Sequence, residues 1–547
     1  EIKEYVSIIS EGSRFNTDYG ENGFVTKIKK EFKRDNIKPE VRELVAFKVT
    51  ELNPKTTKYL IGDIDLRFNE DVYSITDLGN LEFISGSAYF RDTDITSLGK
   101  LKSIGGFAGF YDSKVTDLGN LESIGGDASF KRSKITDLGS LKSIGGYVSF
   151  ADSKVTSLGN LKTIGEDAYF NDSNVTDLGS LEFISGDVSF SNSKVTDLGN
   201  LKTIGKRADF TLSNVTDLGS LESIGGSAYF NSSKVTDLGN LESIGGMADF
   251  YDSNITSLGK LKTIGYSAIF KRSNVTDLGS LESIGKNANF TDSKVTSLGN
   301  LKTIGNNADF ISSKVTSLGN LESIGGNALF SDSNVTSFGN LESIGGYVSL
   351  KGSNITSFGN LKSIGEYADF RDSKITSFGN LESIGGDVSF KGSNITSLGN
   401  LKTIGGDADF SVSKITSLGN LESIGKDAYF DDSKVTDLGK LKSIGRYAYF
   451  SNAKITDLGN LESLGGNVSF KYSNITSLGN LKTIGGRANF SNSKITDLGK
   501  LESIGGNVDF GDNTTLENEW NRRQGKPPTR KQKVDEQPKT LTNEESE

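Results

Sequence analysis

The chain of 547 residues holds no His and no Cys, and only one Met and one Trp. Without them no Ser-His-Asp triad, Cys nucleophile, zinc site or haem ligand set of the usual kinds can be built. What remains for chemistry is 70 carboxylates, 61 Lys and Arg side chains and 17 Tyr. Carboxylates and Lys leave glycosidase-type and Schiff-base reactions formally open. No paired constellation breaks the regularity of the chain, however, so a non-catalytic protein with no cofactor and no metal is expected. The Tyr residues are the ones that are placed. Tyr147, Tyr347, Tyr367 and Tyr447 share one position of a 20-residue period, and Tyr89, Tyr169, Tyr229, Tyr429 and Tyr449 share another. Asp, Asn and Ser occupy most of the equivalent positions. Rigid amphipathic rings with adaptable hydrogen-bonding neighbours are the chemistry of recognition, and these nine Tyr are the candidate ligand-binding residues.

The elements that must hold them follow from that spacing. From Leu81 to Phe510 the sequence keeps a strict 20-residue repeat without insertion or deletion, 21 full units and half of another. Counting from its Leu, a unit reads L-x-[ST]-I-G-x-x-[AV]-x-F-x-x-S-x-[IV]-T-[DS]-[LF]-G-x, as in residues 381–400. Apolar residues fall at positions 1, 4, 8, 10, 15 and 18. The A-x-F step has the period of a strand with one buried face. The step around position 15 suggests a second short strand or extended segment, and Gly at positions 5 and 19 marks corners. No stretch between corners is long enough for a helix, so each unit is one coil of a β-rich solenoid.

Stacking explains the columns. Phe fills position 10 in 21 of 22 occurrences, with Leu350 the exception, and predicts a buried aromatic spine. Ser fills position 13 in 19 of 21 units, where a buried hydroxyl is expected to bond backbone of its own and the next coil. Position 2 alternates in charge, with 18 of 21 neighbouring pairs opposite in sign. Such alternation stabilises only if unit n lies directly on unit n+1.

The stretch A-x-F-x-x-S-x-[IV], followed by L-G-x-L-x-x-I-G, resembles a leucine-rich repeat of the short bacterial and phage type. Ala or Val and Phe stand at the first two Leu sites of the signature L-x-L-x-x-N-x-L, Ser at the Asn site and Ile or Val at the last. The resemblance covers residues 81–510, with a degenerate unit at 61–80, and implies a ligand-binding scaffold. The expected fold is thus an all-β-rich solenoid, leucine-rich-repeat-like or β-helix-like, of about 21–22 coils. Amphipathic patterns at 24–32 and 39–52 predict a small α-helical N-terminal cap or docking domain over residues 1–60. Residues 511–524 would form a C-terminal cap around Trp520, and 525–547, with no apolar cluster, a disordered tail.

Positions 7, 9 and 11 lie on the outward side of the A-x-F strand, and their variation between units suits adhesion to a protein or glycan. Residues 1–60 would be the attachment end. A structural spacer, fibre or virion component is the alternative. A second alternative is ice binding through Thr at position 16, present in every unit from Thr96 to Thr496, although Lys or Asn at position 14 spoils a flat lattice. The net charge of −9 argues against a nucleic-acid partner, and no apolar run is long enough to insert in a bilayer. Asp407 and Asp409, two apart on one face, would touch a calcium ion only weakly, since neighbouring coils do not continue the pair. Sequons such as Asn174-Val-Thr arise from the repeat itself. An extracellular surface or a virion is the favoured location.

Overall fold

The computed structural model describes residues 45–46, 51–65 and 75–528. These fall into two compact units, Glu1–Val335 with Gly339–Leu341 and Thr336–Phe338 with Glu342–Glu547. Each unit is a parallel β-solenoid of 20-residue coils. A coil carries two strands of two residues each, at positions 3–4 and 8–9, for example Ser123–Ile124 and Ala128–Ser129. Within each unit a strand pairs in register with its equivalent in the adjacent coil, as Ser123 with Ser143 and Ala128 with Val148 in the first. In the second, Ser423 pairs with Ser443 and Ala428 with Ala448.

The second strand is therefore the [ST]-I step, and the segment around position 15 is not one. Its Ile or Val is buried, but the backbones of neighbouring coils meet there through bonds such as Thr176 N to Thr156 O (3.0 Å) and isolated bridges at position 17 rather than a strand ladder. The reason lies in the turns that flank it. At the first, the position-13 N–H donates to the Phe carbonyl, Ser193 to Phe190 at 3.0 Å. Position 12, its third residue, is held in the left-handed region, with φ of 48–58° in 19 coils and Gly at 352 and 392. At the second, Gly at position 19 has φ near +55°, and its N–H is held by the Asp or Ser two residues earlier, Asp117 Oδ1 to Gly119 N at 2.7 Å. That hydrogen bond accounts for the restriction of position 17 to Asp or Ser.

Burial locks the coils together. Side chains at positions 1, 4, 8, 10, 15 and 18 are almost wholly buried from Leu81 to Leu498. In the first unit the Phe rings stack from Phe90 to Phe330 with centroids 4.9–5.6 Å apart. In the second unit Leu350 stands at position 10 in place of Phe, and Phe338, Phe358 and Phe378 replace Leu at position 18. Phe358 stacks on Phe338 at 5.3 Å and on Phe378 at 5.1 Å, and Phe370 packs at a tilt against both Phe358 and Phe378. Along position 2 from Lys102 onward each ion pair joins a Lys to the Glu of the preceding coil, Lys142–Glu122 at 2.7 Å and Lys402–Glu382 at 2.9 Å among them.

Two expectations are corrected here. The Ser hydroxyls at position 13 do not bond backbone: Oγ of Ser153, Ser193, Ser233 and Ser353 is buried without a hydrogen-bond partner. The carbonyls are used instead by Asn at position 14 of the next coil, Asn174 Nδ2 donating to Ser153 O at 2.7 Å. Only the branched Thr93 turns its Oγ1 to the Phe90 carbonyl, at 2.9 Å. The helical N-terminal cap is also unsupported. Inside the 39–52 segment, Val45–Ala46 is a strand paired with Tyr59–Leu60, which pairs in turn with Phe83–Ile84. The open edge of a sheet offers unpaired N–H and C=O groups, and satisfying them outweighs a helical pattern in a β-branched stretch. The remainder of the supposed cap and docking domain lies outside the described residues, as does the tail from residue 529.

The described helix, α1 (Thr514–Arg523), follows the last coil. Asn513 caps it, its Oδ1 accepting from Leu516 N at 3.0 Å. Leu516 and Trp520 are buried, and Arg523 Nη1 donates to the carbonyls of Gly499 and Leu501 at 3.0 and 3.1 Å.

Candidate recognition face

Positions 8 and 10 point into the coil, so positions 7, 9 and 11 share the outer side. The position-7 column has a structural duty that sequence reasoning missed. Its Asp, Asn or Ser side chain accepts the N–H of position 7 in the next coil. Asp167 Oδ1 takes Asp187 N at 2.8 Å, Asn307 Oδ1 takes Asn327 N at 2.9 Å, and Asp407 Oδ1 takes Asp427 N at 2.9 Å. The signal was present: Asp, Asn or Ser fills this position in 14 of its 22 occurrences. Asp or Asn at position 9 does the same for the N–H at position 11, as Asp249 for Tyr251 at 2.9 Å.

The nine Tyr are spread over this side, and the structure brings three of them together. The rings of Tyr429 and Tyr449 stack with centroids 5.1 Å apart and planes 4° from parallel. Tyr447 meets Tyr449 edge-on at 6.5 Å. Around them stand Asp427, whose Oδ1 accepts from Tyr447 N at 3.0 Å, and Arg446, 3.5 Å from the same carboxylate and over the Tyr447 ring. Tyr89 leans on Phe107 at 5.4 Å, and Tyr169, about 40% exposed, donates to Asp167 Oδ2 at 3.2 Å. Tyr147 and Tyr367 are exposed to a similar degree, and Tyr347 is half-buried. Tyr229 lies beneath the Arg207 guanidinium, 4.5 Å from it.

Electrostatics favour the protonated phenol. Burial, then the nearby Asp carboxylates, raises the pKa of Tyr169, Tyr429 and Tyr449 above the usual phenol value. Each therefore stays a hydrogen-bond donor well into the alkaline range. Tyr429 and Tyr449 are stacked face to face, so each covers one face of the other, while the other side of Tyr429 has Asp409 as its register neighbour. Burial likewise pushes the Asp431 carboxyl up. Burial alone would raise Asp369 too, but hydrogen bonds from Arg371 bring it below the ordinary carboxylate value.

Arg on Tyr is the other feature that the residue pattern did not reveal. Besides Arg207 and Arg446, Arg91 lies 4.8 Å from the Tyr111 ring, and Arg132 donates to the Tyr111 hydroxyl at 3.2 Å. The Thr column at position 16 turns its hydroxyls along the stack, Thr216 Oγ1 donating to Thr196 O at 3.2 Å. Among the described residues no group of three or more His, Cys, Asp or Glu is placed to hold a metal, and no helix is long and apolar enough to cross a membrane.

Comparison with known proteins adds one match. Residues 407–510 match, in six copies, the family model described as the BspA type leucine rich repeat region. No curated protein matches the chain. The matched stretch contains the Tyr429–Tyr447–Tyr449 cluster, and its coils have the same strands, turns and columns as those outside it. The repeat is a leucine-rich-repeat-like solenoid of the short, 20-residue type.

Proposed function

We propose that this is a non-catalytic recognition protein whose variable strand face holds a protein or glycan, many coils adding small contributions to one attachment. The observation that carries the reading is the gathering of Tyr429, Tyr447 and Tyr449 with Asp427 and Arg446 on the one side of the coil where residue identity is free to vary. The buried columns are held constant by packing, and Gly at position 19 by its turn. A spacer role is the second reading, and the hydrogen bonds along position 7 favour it, because they give polar residues on the face a purely structural reason to be there. The Thr hydroxyls, spent on neighbouring carbonyls, do not support ice binding.

The two readings separate in one experiment. The full chain and a variant with all nine Tyr changed to Ser are used to capture partners from cells and from envelope glycans, and both are melted. The recognition reading expects a partner held by the parent and released at least tenfold more readily by the variant, with little change in Tm. A partner held equally by both, or a variant that loses Tm and partner together, would leave the solenoid as a spacer.

A further inference from the structure

The Tyr-bearing face already contains a template for what it binds. In coil 201–220, Arg207 occupies position 7 and Asp209 position 9, and Asp209 pairs in register with Tyr229 of the next coil. Arg207 Nη2 lies 2.8 Å from Asp209 Oδ2 while its guanidinium covers the Tyr229 ring at 4.5 Å. One cation is thus held by a carboxylate and an aromatic face together, each strengthening the other's hold on a weakly hydrated planar group. Asp209 Oδ1 is meanwhile committed to Thr211 N, at 3.0 Å.

Ten coils further on, the same pair stands with no Arg at position 7, and Lys426 of the following coil is paired with Asp387 of the preceding one, 3.3 Å away. Asp409 pairs in register with Tyr429, and Asp409 Oδ1 is committed to Ser411 N at 2.9 Å, as Asp209 is to Thr211. Position 7 of that coil is not Arg but Asp407, which reverses the charge of the slot. Tyr429 stacks on Tyr449 and so has a second ring behind it. Asp431, on the outer side of the next coil, adds a further carboxyl close enough to Asp409 to feel its charge. We propose that Asp407, Asp409 and Tyr429 form a slot for a guanidinium brought by a partner, so that the ligand of this face is an Arg-bearing polypeptide segment. The proposal rests on the recognition reading above and narrows it. A neutral glycan offers the carboxylates hydroxyl hydrogen bonds but no opposite charge, and an acidic one is repelled by them.

The guanidinium is a planar fork. It can stack on Tyr429 and present N–H groups to Asp409 at the same time, whereas a Lys ammonium offers a point charge with no plane to stack. The test therefore compares three probes. A labelled, end-capped nonapeptide with Arg at every second position in a Ser background is titrated into the full chain, beside the same peptide carrying Lys and carrying citrulline. The Arg peptide is expected to bind at least tenfold more tightly than either. Asp407→Arg, which rebuilds the arrangement of coil 201–220 and is tolerated there, should weaken it at least tenfold. Asp409→Asn, which keeps the bond to Ser411, should weaken it severalfold. The converse change, Arg207→Asp, should create a second slot and raise the number of Arg peptides bound.

Equal binding of the Lys peptide, undiminished binding by Asp407→Arg, or no Arg-selective binding up to millimolar peptide would each overturn the slot. Failure here is distinguishable from failure of the wider reading. A partner captured by the parent, lost with the nine Tyr and unaffected by Asp407→Arg would refute the guanidinium slot and leave the recognition face standing.

Discussion

The residues that decide the local backbone are the ones at position 12. Asp, Asn and Gly fill 14 of its 21 places, and these are the types that adopt the left-handed region with least strain. Val412 is the outlier, a β-branched side chain at φ 53° and about 63% exposed. Val412→Asn should stabilise the second unit by about 1 kcal/mol, read as a rise in the urea midpoint; an unchanged or lowered midpoint would mean that the turn strain is relieved elsewhere. Position 12 shows where sequence reading stopped. Its Asp-rich content reads as free variation on a surface, because a turn's need for positive φ leaves only a statistical trace and tolerates Leu212, Val412 and Tyr472. Position 10 was legible for the opposite reason, since a buried ring admits almost no alternative. The candidate Tyr were readable as a column, but not as a cluster. Offsets within a coil do not say which rings meet, and the Arg residues that cover two of them, Arg446 and Arg207, sit at positions 6 and 7 with no fixed offset.

At the level of the element, packing passes between columns. Leu350 and Phe358 belong to one coil and both are buried, and Phe358 fills space that Leu occupies at position 18 in most other coils. Leu350→Phe alone should overpack and cost about 1–3 kcal/mol, while Leu350→Phe combined with Phe358→Leu should recover most of it. Additive losses in the double variant would show that the two columns do not share volume. The ladder at position 2 makes a pH prediction. Hydrogen bonds from Lys262, Lys402 and Lys482 hold Glu242, Glu382 and Glu462 below the ordinary Glu value, and the same bonds raise the three Lys. The carboxylates' contribution is therefore whole above the unfolded Glu pKa and fades as pH falls through the lowered folded value. The Lys contribution is whole below the unfolded Lys pKa and fades as pH rises through the raised one. Tm should thus decline at both ends of the pH range, gently because these pairs are exposed, and 1 M salt should flatten both declines.

At the scale of the whole molecule, the ion pairs from Glu342 to Lys482 group coils in twos, and that grouping predicts how the chain tolerates changes of length. Removing residues 381–400 deletes Glu382 and brings Lys402 against Lys362, which is already paired with Glu342. Removing 381–420 deletes the Glu382–Lys402 pair entire and leaves Glu342–Lys362 and Glu422–Lys442 as they were. The 40-residue deletion should therefore keep a higher Tm than the 20-residue one, although it removes more core. The reverse order would assign the alternation no energetic weight. The helix over the final coil has a wider consequence. Layers that all match one another resemble a crystal growing in one dimension, and such a crystal stops only where a layer is made unlike the rest. Leu516, Trp520 and the Arg523 guanidinium supply that unlikeness. At that face the stack is finished by one short helix of a different shape, and its size there is written in the chain rather than left to concentration.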